Sequence, residues 1–195
     1  MMLKELLERY PCLASCREEL EAAARALIEC YEGGGRVFTC GNGGSCADAD
    51  HIVGELMKGF LKKRPLSEEK KQAMIAKNPS LTEETLGKLQ GALPALSLCS
   101  LTALNTAFCN DVDPELIYAQ PLMGMGQPGD VLVCISTSGN SKNVVNAVIT
   151  AKAKKGSAND KINIGFIGLG QQAINLMNGF ITIPDVRVVA GADIY

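Results

Sequence analysis

Two short loops rich in glycine, serine and asparagine contain the residues of this chain best suited to bind an oxyanion. They are Cys40-Gly-Asn-Gly-Gly-Ser45 and Ser136-Thr-Ser-Gly-Asn-Ser141. Each follows an apolar run typical of a buried strand and precedes a helical pattern. Backbone N–H groups at the start of a helix favour an anion, and hydroxyl groups add neutral donors. The pattern therefore predicts a sugar-phosphate site on residues 136–141, with Ser45 nearby.

A purely structural role is the alternative for the first loop, because glycine adopts positive φ and asparagine tolerates it. Two such loops at equivalent positions of one sheet favour the binding role, since ligand crevices lie at the carboxyl ends of parallel strands.

His51 and Glu55 are four residues apart in the helical pattern that follows the first loop. Side chains at this spacing share one face of a helix, so they could bind a metal ion or form an exposed ion pair. The exposed ion pair is the commoner case for an isolated His–Glu pair. The residues alone leave both alternatives open.

Composition narrows the possible partners and location. The chain has 195 residues, with 19 Lys+Arg against 21 Asp+Glu and no long basic run. We therefore expect neither nucleic acid nor a membrane surface as a partner. The N-terminal segment carries acidic residues within its apolar pattern, which predicts no signal peptide or membrane span, so we expect a cytoplasmic protein. Eight cysteines without a C-x-x-C pair favour small buried thiols over a zinc or disulfide framework.

Strands and helices alternate along the chain, which predicts one α/β domain over residues 1–195, a three-layer αβα sandwich with a mainly parallel sheet. The predicted strands are 36–40, 95–100, 131–135, 162–167 and 186–191. The predicted helices are 2–31 with a break at Pro11, 47–60, 101–109, 115–126, 143–152 and 171–180, and a polar turn is expected at 110–114.

Two further segments have distinct patterns. The helices of residues 1–32 carry more apolar positions than one sheet face needs, so we expect a homo-oligomer, a dimer or tetramer, formed through them. Residues 62–94 are charged and contain two helix starts, one at Ser67 and one in a capping box from Ser80 to Glu83. This insertion predicts a helical flap.

The two loops, together with Asp48-Ala-Asp-His51, Glu55 and Gly129-Asp-Val-Leu, resemble the sugar isomerase (SIS) domain family over about residues 3–155, four fifths of the chain. Within that family the resemblance is to the phosphoheptose isomerases. It implies a flavodoxin-like fold and a homo-oligomer that converts sedoheptulose 7-phosphate to D-glycero-D-manno-heptose 7-phosphate. It also implies substrate contacts by residues of three segments: Asn42, Gly43 and Gly44; Asn110 and Asp111; and Ser136, Thr137, Ser138 and Ser141.

The resemblance also assigns roles to His51 and Glu55, because the matching family residues bind zinc and the matching glutamate is an acid/base. Aldose–ketose interconversion moves a proton between adjacent carbons through an enediol, which a carboxylate can carry, so Glu55 is the candidate base. The family's final helix carries a glutamine and a histidine, whereas His51 is the single histidine here. We therefore expect poor zinc affinity and impaired catalysis. A non-catalytic sugar-phosphate-binding or scaffold protein is the alternative.

Residues 161–195 resemble another family, the glucose–fructose oxidoreductases and inositol dehydrogenases, in their first βαβ unit. Gly168, Gly170 and Ala173 form a G-x-G-x-x-A pattern after a strand, and Asp193 ends the next strand. An NAD-binding oxidoreductase fragment is therefore a second alternative. One such unit is only part of a dinucleotide domain, so we expect no NAD binding. The polar stretch 154–161 predicts a junction, and hence a chimera whose tail completes the sheet.

Overall fold

A parallel three-stranded sheet positions the two loops. The computed structural model describes residues 2–154 and two further strands, 162–167 and 186–192. In the three-stranded sheet, β1 (Val37–Gly41) lies between β2 (Ala95–Ser97) and β3 (Val131–Ile135). Gly41 of β1 pairs with Ile135 of β3, so the two loops begin at equivalent positions of neighbouring strands. The predicted α/β fold with a parallel sheet is confirmed.

Eight α-helices flank or follow these strands in the part of the chain that the structure describes. They are α1 (Met2–Arg9), α2 (Arg17–Glu32), α3 (Gly44–Met57), α4 (Glu68–Lys77), α5 (Glu83–Lys88), α6 (Thr102–Asp111), α7 (Ala119–Met125) and α8 (Lys142–Ala153). Short 3-10 turns cover Pro11–Cys16, Leu98–Ser100 and Pro114–Leu116. None of the helices described here has both the length and the apolar character needed to cross a bilayer.

The main core lies between β1, β3 and the helices α7 and α8. Phe38 and Leu98 are fully buried there, and Leu122 and Val144 pack against them from the helices. All five residues of β1 are buried, which explains why this strand is a short run without polar alternation. The core therefore fixes β1 and β3 beside each other, and the two loops with them.

Helix α2 packs against strands of the same chain. Pro11 begins the first 3-10 turn, as the predicted break requires, and α2 ends where Gly33 and Gly34 follow. One face of α2 buries Ala22, Ala26 and Cys30, and the helix contacts β3 and the two later strands. These three positions thus have partners inside one chain, whereas Ile28 of the same helix is exposed, and oligomerisation stays a prediction.

Residues 62–94, the predicted flap, contain the helices α4 and α5, and hydrogen bonds join the two ends of this segment. Pro65 bridges Gln90 in an antiparallel pair, and Arg64 donates to the carbonyl oxygens of Gly91 and Leu56. Ser67 caps α4 as expected, accepting a hydrogen bond from the N–H of Lys70.

The predicted capping box of the second flap helix is wrong. Thr82, not Ser80, caps α5 by accepting from the N–H of Thr85, because the helix begins at Glu83. The N–H of Ser80 instead donates to the side chain of Asn78 in a local turn.

Other predicted boundaries shift by a few residues. Helix α3 begins at Gly44, three residues earlier than expected, and β2 ends at Ser97 because the chain turns into a 3-10 helix. Residues Asn110 and Asp111 end helix α6 and do not form the predicted polar turn. The N–H groups of Val112 and Asp113 both donate to Phe108, which closes the helix after Asp111.

Two strands of the tail are confirmed as well. β4 (Ile162–Ile167) and β5 (Val186–Ala192) pair in parallel in a two-stranded sheet of their own, and the backbone of β4 lies beside β3. That the tail completes the main sheet stays a prediction. The predicted helix over 171–180, together with Gly168, Gly170 and Asp193, lies outside the described residues.

Candidate functional site

The first loop turns sharply from β1 into α3. An added Cβ at Gly41 would lie 2.6 Å from the carbonyl oxygen of Ser45, so the chain can fold back here only on glycine. Gly43 then takes φ of 57°, a left-handed conformation that favours glycine. Ser45 is buried in the first turn of α3, whereas Asn42, Gly43 and Gly44 are exposed. The exposed part of the loop is therefore a short Asn-Gly-Gly surface.

A reciprocal pair of amide side chains joins the first loop to the start of α8. The Nδ2 group of Asn42 donates to Oδ1 of Asn143 at 2.9 Å, and Nδ2 of Asn143 donates to Oδ1 of Asn42 at 2.9 Å. Oδ1 of Asn143 also accepts from the backbone N–H of Val144 at 3.0 Å. The first loop is thus joined to the helix that follows the second loop by direct hydrogen bonds between residues 101 positions apart.

Tyr118 contacts the first loop at Gly41 and Asn42 from the buried side. This buried tyrosine donates from its hydroxyl group to the carbonyl oxygen of Gly41 at 2.6 Å, and the hydroxyl lies 3.1 Å from Oδ1 of Asn42. The thiol of Cys99 lies 3.3 Å from the same carbonyl oxygen. The end of β1 is therefore fixed by a buried polar cluster.

The second loop exposes hydroxyl groups beside the N-terminus of α8. The hydroxyl groups of Ser136 and Ser141 are 3.3 Å apart, and Ser136 is buried. Thr137 and Ser138 are exposed. The Ser138 oxygen accepts from the N–H of Asn140, which leaves its own hydroxyl hydrogen to donate elsewhere. These donors meet the requirements of a phosphate oxygen.

His51 and Glu55 do share one face of α3. Nε2 of His51 lies 3.7 Å from Oε1 of Glu55, and their side chains are 77% and 51% exposed. Within the described ranges no group of three His, Cys, Asp or Glu side chains could hold a metal ion. Catalytic zinc usually has three protein ligands, so these two residues do not by themselves fit that metal.

Asn110 and Asp111 form their own local pair. Nδ2 of Asn110 donates to Oδ1 of Asp111 at 2.7 Å, and both residues are exposed at the end of α6. The hydrogen bonds of the described side chains link neither of them to the two loops.

Cysteine thiols surround the end of β1, and the pKa values of two of them, Cys40 and Cys46, are raised. A hydrogen bond with Cys134 and burial raise the pKa of Cys40 well above its ordinary value, and the two sulfur atoms are 3.6 Å apart. Burial and a hydrogen bond with Cys99 raise the pKa of Cys46 to about 11. Burial also raises the pKa of Tyr118. Because thiolate is the reactive form, Cys40 and Cys46 are not suited to nucleophilic chemistry. The expectation of buried thiols holds for Cys30, Cys40 and Cys134, but Cys109 is exposed.

Comparison with known proteins identifies the family. The SIS domain family model matches residues 3–92. The phosphoheptose isomerase of Shewanella piezotolerans is 31% identical over 171 residues, which cover 88% of this chain and 70% of that protein. The chain belongs to the phosphoheptose isomerase family of SIS-domain proteins. This match covers 88% of the chain, more than the four fifths over which the motifs indicated a resemblance. The phosphoheptose isomerase of Shewanella oneidensis is 30% identical with the same coverage.

Solved structures of phosphoheptose isomerases have the same fold. The enzyme from Neisseria gonorrhoeae is 26% identical, with a TM-score of 0.58, and the match covers 90% of this chain and 73% of that one. The structure from Francisella tularensis gives a TM-score of 0.60 at 24% identity, with 90% and 81% covered. The resemblance expected from the motifs is therefore confirmed.

Three residues of the site did not stand out in the sequence. Asn143 and Lys142 lie in the first turn of α8, and Tyr118 lies within a predicted helix. The Nζ group of Lys142 lies 2.7 Å from a carboxylate oxygen of Glu115, which raises the lysine pKa. Asn143 could have been noticed in the sequence as a polar residue two positions after the hydroxyl loop. Its partner Asn42 could not, because the pairing of β1 with β3 brings the two residues together.

Proposed function

We propose that this chain binds a phosphorylated ketose or aldose in the crevice between the two loops. The observation that carries the proposal is the amide pair of Asn42 and Asn143, which joins the first loop to the helix after the second loop in a member of the phosphoheptose isomerase family. Ligands of open α/β sheets bind outside the carboxyl ends of the strands, where these loops lie. Sedoheptulose 7-phosphate is the substrate we propose.

The phosphate group would lie on residues 136–141. Ser138 has a free hydroxyl hydrogen, Thr137 is exposed beside it, and the N-terminus of the 12-residue helix α8 follows. The partial positive charge of a helix N-terminus favours an anion there. Because Glu115 binds the ammonium group of Lys142, we assign the phosphate to neutral donors. Asn42, Gly43, Gly44 and Ser45 would contact the sugar from the first loop, and we extend this role to Asn110 and Asp111.

Glu55 is the proposed acid/base of an aldose–ketose isomerisation. A carboxylate that removes a proton from one carbon and returns it to the next would form the enediol intermediate. Its neighbour His51 is the only histidine of the sequence, so the group that moves protons between the oxygens is not assigned. Two protein ligands are fewer than catalytic zinc usually has, and we derive no step through zinc. We therefore propose binding with slow or no turnover.

Isothermal titration with sedoheptulose 7-phosphate tests the binding proposal. Ser138→Ala should weaken binding by about 1–2 kcal/mol, the usual effect of one hydrogen bond to a charged group. Ser80→Ala is the matched control, because Ser80 is exposed in the flap. Sedoheptulose without the phosphate should bind far more weakly. Equal affinity of the two Ser→Ala variants would refute the phosphate assignment.

An isomerase assay on the same protein, with and without zinc, distinguishes an active isomerase from a non-catalytic binding protein. Turnover abolished by Glu55→Gln would support the acid/base role. Binding without turnover would favour the non-catalytic alternative. Turnover near 1 s⁻¹ would fall in the ordinary enzyme range and would refute the expected impairment.

We also propose a homo-oligomer and a cytoplasmic location. Light scattering after size-exclusion chromatography should show a dimer or tetramer, and a monomer at micromolar concentration would contradict the first proposal. Absence of NAD binding and the chimeric origin of the tail stay predictions.

A further inference from the structure

We propose that Asn143 and Tyr118 are positioning residues that hold the Asn42 side chain in one orientation, as a hydrogen-bond donor toward the ligand. The inference rests on the proposed function, because it names how the first loop recognises a sugar phosphate. Asn143 and Tyr118 come from different elements, and both contact the Asn42 amide. Neither needs to touch the ligand for this role.

Counting hydrogen bonds shows which group of Asn42 remains available. Its Oδ1 atom has two acceptor sites. One accepts from Nδ2 of Asn143, and the other faces the hydroxyl group of Tyr118, whose single hydrogen is shared between this oxygen and the carbonyl oxygen of Gly41. Its Nδ2 atom has two hydrogens, and one of them is donated to Asn143. A single N–H therefore remains. The Asn42 side chain can offer the ligand a donor but no acceptor, which suits a hydroxyl or phosphate oxygen of the substrate.

The orientation of this amide is fixed by the backbone of α8. The backbone N–H of Val144 donates to Oδ1 of Asn143, so a flip of the Asn143 amide would place two donors face to face. With Asn143 fixed, a flip of Asn42 would bring its Nδ2 against Nδ2 of Asn143. The backbone hydrogen bond thus determines both amides.

Tyr118 anchors the other side of the same group. Its ring is buried, and the single hydrogen of its hydroxyl group is shared between Oδ1 of Asn42 at 3.1 Å and the carbonyl oxygen of Gly41, the preceding residue, at 2.6 Å. Asn42 is otherwise an exposed side chain that would lose rotamer freedom on binding. Holding it in place before the ligand arrives removes that cost, which is the physical basis of preorganisation.

The first test measures binding of sedoheptulose 7-phosphate by titration calorimetry. Asn143→Ala should weaken binding about tenfold, the effect of roughly one hydrogen bond. Asn146→Ala is the matched control, because Asn146 lies on the same helix and donates to the carbonyl oxygen of Glu115 instead. It should change affinity less than twofold. Thermal unfolding of both variants shows whether their stability differs.

A double-mutant cycle distinguishes positioning from direct contact. If Asn143 acts through Asn42, the Asn42→Ala/Asn143→Ala variant should bind no more weakly than Asn42→Ala alone, within about twofold. A direct contact between Asn143 and the ligand would make the two losses multiply. Additive losses would therefore overturn the inference.

Asn143→Asp provides a pH readout. A protonated carboxyl group restores the donor to Oδ1 of Asn42, whereas a carboxylate cannot donate. Affinity should recover as the pH falls through the carboxyl pKa and should rise above that of Asn143→Ala at the same pH. If protonation only removed the repulsion between the new carboxylate at position 143 and the phosphate group, the affinity would rise no further than that of Asn143→Ala. Such a result would count against the inference.

A readout without ligand separates this inference from the proposed function. In the NMR spectrum of ¹⁵N-labelled protein, the side-chain amide of Asn42 should exchange with water more slowly in the wild type than in Asn143→Ala or Tyr118→Phe. Failure of the wild type to bind sedoheptulose 7-phosphate refutes the proposed function. Equal exchange in all three proteins, or wild-type affinity in Asn143→Ala, refutes the positioning role.

Discussion

Substitution of Gly41 by alanine tests whether the first loop requires glycine at the end of β1. An added Cβ would lie 2.6 Å from the carbonyl oxygen of Ser45, 2.8 Å from its carbonyl carbon and 2.8 Å from its Cβ. Favourable contacts between carbon atoms lie at about 3.5–4.0 Å, so all three distances are far too short. Because two of these atoms belong to the backbone, rotation of a side chain cannot relieve the clash.

Relief of the clash must therefore move the first turn of α3. Overpacking a well-filled site costs about 1–3 kcal/mol, and a domain of this size loses about 2–4 °C in Tm per kcal/mol. We expect Gly41→Ala to lower Tm by about 3–10 °C. The shift should also move Asn42 away from Asn143 and weaken binding of sedoheptulose 7-phosphate.

Gly54→Ala is the matched control on the same helix. Nothing lies within 4 Å of the position where its Cβ would be added, and Gly54 is an exposed residue inside α3. Alanine is better than glycine in a helix interior by about 0.5–1 kcal/mol, so Tm should rise by about 1–4 °C. The Gly→Ala substitution should thus lower Tm at position 41 and raise it at position 54.

Differential scanning calorimetry at pH 7 measures both shifts. A Gly41→Ala protein as stable as the wild type would show that β1 and α3 do not approach each other as described, and the account of the loop would be refuted. A loss of stability in Gly54→Ala would contradict the open surface assigned to that position.

Leu86→Ala should lower the free energy of unfolding by about 2–5 kcal/mol, because Leu86 is fully buried within the flap, while Leu89→Ala should change it by less than about 0.5 kcal/mol in urea titrations. Equal effects would mean that α5 does not pack as described. Burial and the nearby Cys30 thiol, partly offset by Arg64, raise the pKa of Tyr31 to about 12. From pH 10 to 12 the unfolded chain therefore ionises first and stability falls. Tyr31→Phe should reduce that loss without abolishing it, because the raised pKa of Cys46 contributes in the same range, and urea unfolding at pH 9 and 11 would measure the difference.

Local sequence patterns correctly predicted the parts of the fold that depend on neighbouring residues. The apolar run 131–135 is the strand β3 with the same bounds, and Ser67 caps α4 as its position before Glu68 and Glu69 indicates. The i,i+4 spacing of His51 and Glu55 places both side chains on one face of α3. Periodicity and capping are properties of a few consecutive residues, so they can be identified without the fold.

Where neighbouring residues could each begin or end a helix, only the structure shows which of them does. Both Ser80 and Thr82 could cap a helix, and the start of α5 at Glu83 selects Thr82. Asn110 and Asp111 suit a turn by composition, yet α6 continues through them. Propensities differ by less than about 1 kcal/mol for such residues, which is small beside the packing of the whole element.

The positions of the two loops could be predicted from the sequence itself, because glycines, hydroxyl groups and an asparagine that follow an apolar run indicate a turn between a strand and a helix. The tertiary structure decided which side chains meet. The register that pairs Gly41 with Ile135 brings Asn42 to Asn143, and packing of the segment before α7 brings Tyr118 beneath both. Contacts between residues about a hundred positions apart in the sequence depend on strand order, register and rotamers together. No local pattern contains that information.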